Sequence, residues 1–208
     1  MSQQISLKDA ERKAFRSTFA DGLWDIFISC FALQFAIAPL LSRSLGDFWS
    51  SAVFLPLWGV TYLIIWLVRK NVIAPRIGEV EFRPARKARL RKFTLSMLVF
   101  NLIALILGII AAISFRTLPL GSPNMVLGLI LLIGFSTAAY SLDFPRLYVY
   151  GLLGALGTPT GEWLYQNMGA SHHGYPIVFG TLAGVMILTG LVTFVRFLKN
   201  NPLPYEEM

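Results

Sequence analysis

The chain has 208 residues, of which 55% are hydrophobic and only 14% are charged, with a mean hydropathy of +0.62. Because soluble domains contain about 25% charged residues, this composition excludes an ordinary soluble protein and predicts one integral membrane domain over residues 1–208. The net charge of +7 accompanies no nucleic-acid-binding motif, and the single cysteine, Cys30, excludes an internal disulfide and a thiolate metal cluster.

The N-terminal segment, residues 1–20, is polar and mixed in charge, so it does not have the pattern of a signal peptide. Its apolar residues are interspersed with four basic residues, a spacing that favours a short amphipathic helix on the cytoplasmic membrane surface. A frayed tail is the alternative.

Apolar segments long enough to cross a bilayer follow, and they predict an all-α polytopic protein with six transmembrane helices. Their bounds are 22–41, 49–68, 93–115, 124–141, 147–165 and 176–198. Pro56 is expected to kink the second span. Thr158-Pro159-Thr160 is expected to break the fifth, so that a re-entrant fifth segment is the alternative to a spanning one.

A basic segment, residues 69–92, separates the second and third spans and carries nine of the eighteen Lys and Arg residues. Basic loops are retained on the cytoplasmic side, which predicts that both termini are cytoplasmic and that the protein resides in the cell membrane. This topology places sixteen basic residues inside and two outside, against fourteen and four for the five-span alternative. Anionic lipid headgroups are the expected partners of the loop.

Within the basic loop, Ile77–Phe82 alternates apolar and polar residues after Gly78, which predicts a short strand. A lone strand needs a pairing partner. We therefore expect the strand to pair with the same loop or with a second copy of the chain, making a homo-oligomer one possible state.

Two carboxylates, Asp21 and Asp25, stand four residues apart at the start of the first span and share a face of the helix. Such a pair can bind a cation or relay a proton. The structural alternative is that Asp21 caps the helix, while Asp25 favours the positive end of the helix dipole and pairs with a basic loop residue.

Glu162 is the sharper candidate for a ligand or ion site, because an acidic residue at membrane depth costs about 2.5–3.5 kcal/mol on insertion scales and usually faces protein or water. A position at the outer interface is the alternative. Together with Glu162, His172 and His173 provide two histidines and one carboxylate for a metal ion or a proton. Gln34 and Asn101 are predicted either to contact a ligand or to hydrogen-bond between helices.

Small residues favour close helix packing in the later spans. The glycines concerned are Gly151 and Gly154 in the fifth span and Gly180 and Gly184, a GxxxG pair, in the sixth. Ala32 and Ala36 in the first span are similar to the AxxxA docking feature in substrate-binding subunits of energy-coupling-factor transporters, and this resemblance implies docking onto a partner.

No GxSxG, HExxH or Walker motif is present, so an enzyme is less favoured and no cofactor is expected. A division after the third span gives two three-helix halves whose middle members contain Pro56 and Pro159, the arrangement that points to a midplane site in transporters. The sequence therefore predicts a transporter or channel-like protein for a small or cationic solute, with a cavity beside Glu162. A non-catalytic membrane subunit or scaffold is the alternative.

Overall fold

The computed structural model describes residues 19–77 and 123–202, and within these ranges the chain is helical with short connections and without strands. The helices are α1 (Leu23–Leu45), α2 (Asp47–Ala52), α3 (Phe54–Val68), α4 (Ala74–Ile77), α5 (Pro123–Leu142), α6 (Arg146–Met168) and α7 (Tyr175–Asn200). A π-helical segment, Arg69–Ile73, joins α3 to α4, and a 3₁₀ turn, His172–Gly174, precedes α7.

Three sequence predictions lie largely outside these ranges. They are the amphipathic N-terminal segment, of which only the turn at residues 19–20 is described, the strand that would follow Ile77, and the span at 93–115 with Asn101.

Four helical stretches are long and apolar enough to cross a membrane: Leu23–Leu45, Phe48–Arg76, Met125–Leu142 and His172–Asn200. Most of their large apolar side chains are not covered by protein, which is what lipid-facing helices require. α6, with 23 residues, is also long enough, but its glycines and polar residues keep it out of this group. The all-helical, membrane-compatible character predicted from composition is confirmed.

The chain forms two compact units. In the described ranges, the first unit consists of residues 19–77 and 175–202, and the second consists of residues 123–174.

In the first unit, α1 lies antiparallel to α3. The rings of Phe27 and Tyr62 are 6.2 Å apart, and those of Phe31 and Trp58 are 5.7 Å apart. The later residue of α1 therefore contacts the earlier residue of α3. This is the arrangement expected for neighbouring helices that cross a membrane in opposite directions.

α1 is also antiparallel to α7. Phe35 stacks on Phe179 with ring centroids 5.1 Å apart, whereas the start of α1 meets α7 near Gly190. Gly22 adopts a left-handed φ of 79°, which only glycine accepts readily, and its carbonyl lies 2.8 Å from the position that a Cβ on Gly190 would take. The two backbones can approach this closely because neither residue has a side chain.

The start of α1, the end of α3 and the end of α7 consequently meet at one end of the first unit, which we call the basic end. An apolar cluster built on Leu23, Ile65 and Ile73 fills it, with Phe194 and Phe197 packed alongside. The basic end also holds most of the basic residues of this unit in the described ranges: Arg69, Lys70, Arg76, Arg196 and Lys199. The opposite end of the first unit carries Arg43.

The second unit is an antiparallel hairpin of α5 and α6. A Cβ on Gly128 would stand 2.8 Å from the Ala155 carbonyl, and a Cβ on Gly151 would stand 2.6 Å from the Phe135 Cβ. The turn between the helices places Asp143 at a φ of 55°, and the Phe144 N–H donates to the Ala139 carbonyl at 3.0 Å. Glycines on both helices therefore set the close spacing of the hairpin.

The second span is interrupted at Val53, between α2 and α3, three residues before Pro56. Val53 keeps helical dihedral angles, with φ −60° and ψ −21°, and its N–H donates to the Trp49 carbonyl at 3.1 Å. Pro56 lacks the N–H that would bond to the Ala52 carbonyl one turn earlier, so the interruption lies where this proline is expected to disturb the helix. The helix also continues beyond Val68 to Ile77, so the first nine residues of the predicted basic loop are helical.

The glycine contacts predict that alanine substitutions at Gly190 and Gly184, both on α7, have different effects on stability. Gly190→Ala should lower the free energy of unfolding by about 1–3 kcal/mol, because its Cβ would lie 2.7 Å from the Ile26 Cγ1 and 2.8 Å from a backbone oxygen. Gly184→Ala is the matched control: no described atom lies within 4 Å of its Cβ position, so the variant should be neutral or gain up to about 1 kcal/mol from helix propensity. Unfolding by detergent titration, followed by circular dichroism, measures both. Equal effects of the two substitutions would contradict the packing.

Candidate functional site

Glu162, near the end of α6, is held by two polar partners. Its Oε2 lies 2.9 Å from the His173 Nδ1, and the Gln166 Nε2 donates to its Oε1 at 2.8 Å. The carboxylate is mostly enclosed, with 19% of the side chain exposed, whereas 58% of the His173 side chain is exposed. The site is thus a sheltered acid with an accessible base beside it.

The loop after α6 brings His173 back over the helix. α6 ends at Gly169 with a left-handed φ of 65°, and the following turn packs Gly174 directly on the backbone of Gly161. A side chain on Gly174 would collide with that backbone, so the return depends on glycine. His173 itself takes a φ of 54° and stacks on Tyr165 with ring centroids 4.7 Å apart. These contacts aim its Nδ1 at Glu162.

The structure brings together only two of the three residues predicted as a metal or proton set. His172 is exposed, and among the residues that the structure describes no hydrogen bond or ion pair joins it to Glu162. No group of three or more potential metal ligands occurs within the described ranges. The arrangement suits proton exchange or the attraction of a cation.

The predicted pair at the start of α1 is deeply buried. Asp21 Oδ1 accepts the Leu23 N–H at 3.0 Å, and its Oδ2 accepts from the Arg69 Nη2 at 2.6 Å. Asp21 thus accepts a first-turn N–H of α1, as the structural alternative required, and it also forms an ion pair with the segment that follows α3.

Asp25 lies one turn further along α1 and is 0% exposed. Its Cβ is 3.2 Å from the position a Cβ on Gly190 would take, so it faces the close contact between α1 and α7. Ser29, one more turn along, is also buried and donates to the Ile26 carbonyl at 2.6 Å. Asp21, Asp25 and Ser29 therefore form a row of buried polar side chains that begins at the basic end of the first unit.

Pro159 does not break α6, which is continuous from Arg146 to Met168. Pro159 lacks the N–H that would bond to the Ala155 carbonyl. The buried Thr158 hydroxyl donates to that carbonyl at 3.0 Å, so the neighbouring side chain replaces the missing donor. Pro159 therefore leaves no unsatisfied Ala155 carbonyl, which a ligand cavity at this position was expected to use.

The remaining candidates are distributed over both units. Gln34 is half-buried on α1, and Pro56 is exposed on α3. Among the predicted packing glycines, Gly151 makes the tight contact with α5 described above, and Gly154 lies in ordinary contact with Leu131 at 3.7 Å.

On α7, a Cβ on Gly180 would stand 3.9 Å from the Ala36 Cβ. Ala36 and Ala32 are both buried. The AxxxA face of α1 is therefore covered within this chain, which argues against its use for docking onto a partner.

Sequence reasoning missed several residues that complete these sites. Gln166 and Tyr165 stand four and three residues after Glu162, and helical spacing alone could have indicated them. Arg69 and Trp24 gave no such signal, because Arg69 lies 48 positions from Asp21 in sequence. The Arg69 Cζ is 5.6 Å from the centroid of the Trp24 ring, so this guanidinium contacts Trp24 as well as Asp21.

No family model, characterised protein or solved structure matches this chain. Function is therefore inferred from the geometry of its sites.

The role of Thr158 can be tested by substitution. Thr158→Val preserves shape but leaves the Ala155 carbonyl without its donor, so the free energy of unfolding should fall by about 1–3 kcal/mol. Thr160→Val is the control: its hydroxyl donates to the Leu156 carbonyl from an exposed position, and its loss should cost well under about 1 kcal/mol. Adding Pro159→Ala to Thr158→Val restores a backbone donor and should recover most of the loss. A double variant no more stable than Thr158→Val would contradict this account.

Proposed function

We propose that this chain is a six-span protein of the cell membrane that acts as a transporter or channel-like protein for a small cationic solute. The observation that carries the proposal is the enclosed Glu162 carboxylate, held by Gln166 on one oxygen and by His173 on the other. Ionisable groups on membrane helices are energetically costly and mark ion or substrate pathways. A carboxylate that is mostly covered but lies beside an exposed histidine suits the attraction of a cation.

The internal geometry of the first unit supports the six-span topology. Its basic end gathers the end of α3 and the end of α7, and the Arg76 Nη1 donates to the Asn201 carbonyl there at 2.8 Å. Ile77 and Tyr175 therefore lie at opposite ends of this unit. The chain between them must cross the membrane an odd number of times. The predicted span at 93–115 together with α5 and α6 gives three crossings, whereas a re-entrant α6 would leave two.

The length and packing of α6 point the same way. A helix of 23 residues is about 35 Å long, which exceeds the hydrocarbon thickness of about 30 Å. Its antiparallel contacts with α5 include those of Gly151, Gly154 and Ala155. The proposal accordingly places the basic end in the cytoplasm and both termini on that side.

Anionic lipid headgroups are the proposed partners of the basic end. Lys70 is exposed and lies 5.3 Å from the centroid of the exposed Trp66 ring. An indole beside an ammonium is typical of the membrane interface, where the ring occupies the headgroup level and the cation meets phosphate.

A membrane subunit remains the second candidate, favoured by the exposure of α3. Of the four apolar stretches, Phe48–Arg76 has the smallest buried share, at 11% of its window. Such a helix is covered either by lipid or by another membrane protein. A subunit would co-purify with a partner and show no uptake by itself.

The transport proposal predicts that Glu162→Gln, which keeps the shape and removes the charge, reduces cation uptake by about tenfold or more. Contacts that involve a charged group contribute about 1.5–3 kcal/mol, which corresponds to that factor. The assay is uptake of radiolabelled methylammonium into proteoliposomes at several pH values. An unchanged rate, affinity and pH profile in this variant would refute a role for Glu162.

The adjacent histidines provide a matched control for the same assay. His173→Asn removes the ring that contacts Glu162 and should alter the uptake rate and its pH profile, while His172→Asn should stay within about twofold of the wild type, since a change below about 0.4 kcal/mol is within the range of surface substitutions. Asparagine tolerates the left-handed backbone that both histidines adopt. Equal effects of the two substitutions would contradict a specific Glu162–His173 pair.

The topology is tested by single cysteines in a Cys30→Ala background. Ser44→Cys and Ser171→Cys should react with an impermeant thiol reagent added outside intact cells, whereas Lys199→Cys should react only after the membrane is permeabilised. External labelling of Lys199→Cys would overturn the six-span arrangement.

A further inference from the structure

The surroundings of Arg69 have the composition of a binding site for an organic cation. One face of the guanidinium is near the indole of Trp24, with 5.6 Å between the Cζ and the ring centroid, and its Nη2 donates to Asp21 at 2.6 Å. The Asp21 side chain is 2% exposed, while 26% of the Arg69 side chain remains exposed. The anion is thus fixed inside the protein and the cation approaches it from the accessible side.

Further aromatic side chains pack against Trp24. The rings of Phe19 and Phe27 lie 5.8 Å and 5.7 Å from the Trp24 ring. A carboxylate combined with an aromatic wall is a recurrent solution for binding guanidinium and alkylammonium groups, since the π face attracts positive charge and the carboxylate accepts the N–H donors.

The two sides of the ion pair are anchored independently. Asp21 is held by the backbone N–H of Leu23, at 3.0 Å, and this bond does not involve Arg69. The segment that carries Arg69 is held by the buried Ile73 and by the bond from Arg76 to the Asn201 carbonyl. Removal of the guanidinium from Asp21 therefore leaves both the carboxylate and the segment in place.

We propose that Asp21 and Trp24 form a binding site for a guanidinium-type cation, and that Arg69 occupies this site as a tethered competitor. The inference rests on the proposed function for the role of the site, because it names the class of solute that the protein would pass. Binding itself is measurable without transport.

The test is stabilisation of Arg69→Ala by methylguanidinium in lipid nanodiscs. The variant should unfold at a lower temperature than the wild type, and low millimolar methylguanidinium should restore part of that loss in a saturable manner. The apparent Kd for methylguanidinium should be at least about tenfold lower for the variant than for the wild type, because Arg69 already occupies the wild-type site. Methylurea, which is neutral, and sodium chloride at equal ionic strength should have no such effect.

The neighbouring lysine provides a matched control. Lys70 also lies over an indole, 5.3 Å from the Trp66 centroid, but it has no carboxylate partner among the residues that the structure describes. Lys70→Ala should therefore gain no methylguanidinium binding. Adding Asp21→Asn to Arg69→Ala should abolish the gain, and adding Trp24→Leu should weaken it by about threefold or more, the range expected from a partly exposed cation–π contact.

If Arg69→Ala fails to fold, Arg69→Gln replaces it in the same test. Glutamine can still donate to Asp21, but its shorter side chain leaves most of the guanidinium position empty. The proposal is overturned if the Arg69 variant binds methylguanidinium no better than the wild type, or if the response survives Asp21→Asn. Failure of the site differs from failure of the proposed function. Uptake by wild-type liposomes without any gain in the Arg69 variant refutes the site alone, whereas a gain in binding without uptake refutes transport alone.

Discussion

The burial of Asp21 at the start of an apolar helix is the constraint on which the first unit depends. A carboxylate that is removed from water needs a cation and further donors, and breaking a buried pair by removal of one partner costs about 3–5 kcal/mol. Arg69 supplies the cation and the N–H of Leu23 supplies a further donor. Arg69 must then lie beside the first turn of α1, which fixes the register of α3 against α1 and holds the π-helical segment over the same end. Gly22 and Gly190 complete the arrangement by allowing α7 to approach.

The positions of the helices could largely be predicted from the sequence, and the exceptions have local causes. A long apolar run specifies a helix at membrane depth, because no other conformation satisfies the backbone there. This is why the predicted segments at 124–141 and 176–198 nearly coincide with α5 and α7. The predicted segment at 147–165 also nearly coincides with α6, although α6 is less apolar. The effect of a proline depends on single hydrogen bonds that hydropathy does not report. Thr158 repairs the bond lost at Pro159, whereas the helix is interrupted at Val53, beside the Ala52 carbonyl that Pro56 leaves without its donor.

The candidate sites were less predictable, because they depend on helix register. Glu162 and His173 were grouped from their charges and their proximity in sequence, but nothing in the sequence distinguishes His173 from His172. Only the loop geometry selects one ring. The GxxxG pair on α7 illustrates the same limit, since the tight crossing uses Gly190 and not Gly184. A spacing of four residues indicates which side chains share a face, whereas the opposing helix determines which part of that face is in contact.

The basic residues that indicate topology are not equivalent once the chain is folded. Lys70 extends beside Trp66 at the surface, but Arg69, its neighbour in sequence, turns inward and is neutralised by Asp21. Arg76 is directed at the Asn201 carbonyl, near the end of α7, where a cation complements the negative end of the helix dipole. Arginine suits the position of Arg69 because its planar guanidinium can donate to oxygen and stack on an indole at once. Basic residues from which the orientation is proposed therefore also supply contacts that hold three helix ends together, and the charge available to lipid headgroups is smaller than the count of basic residues.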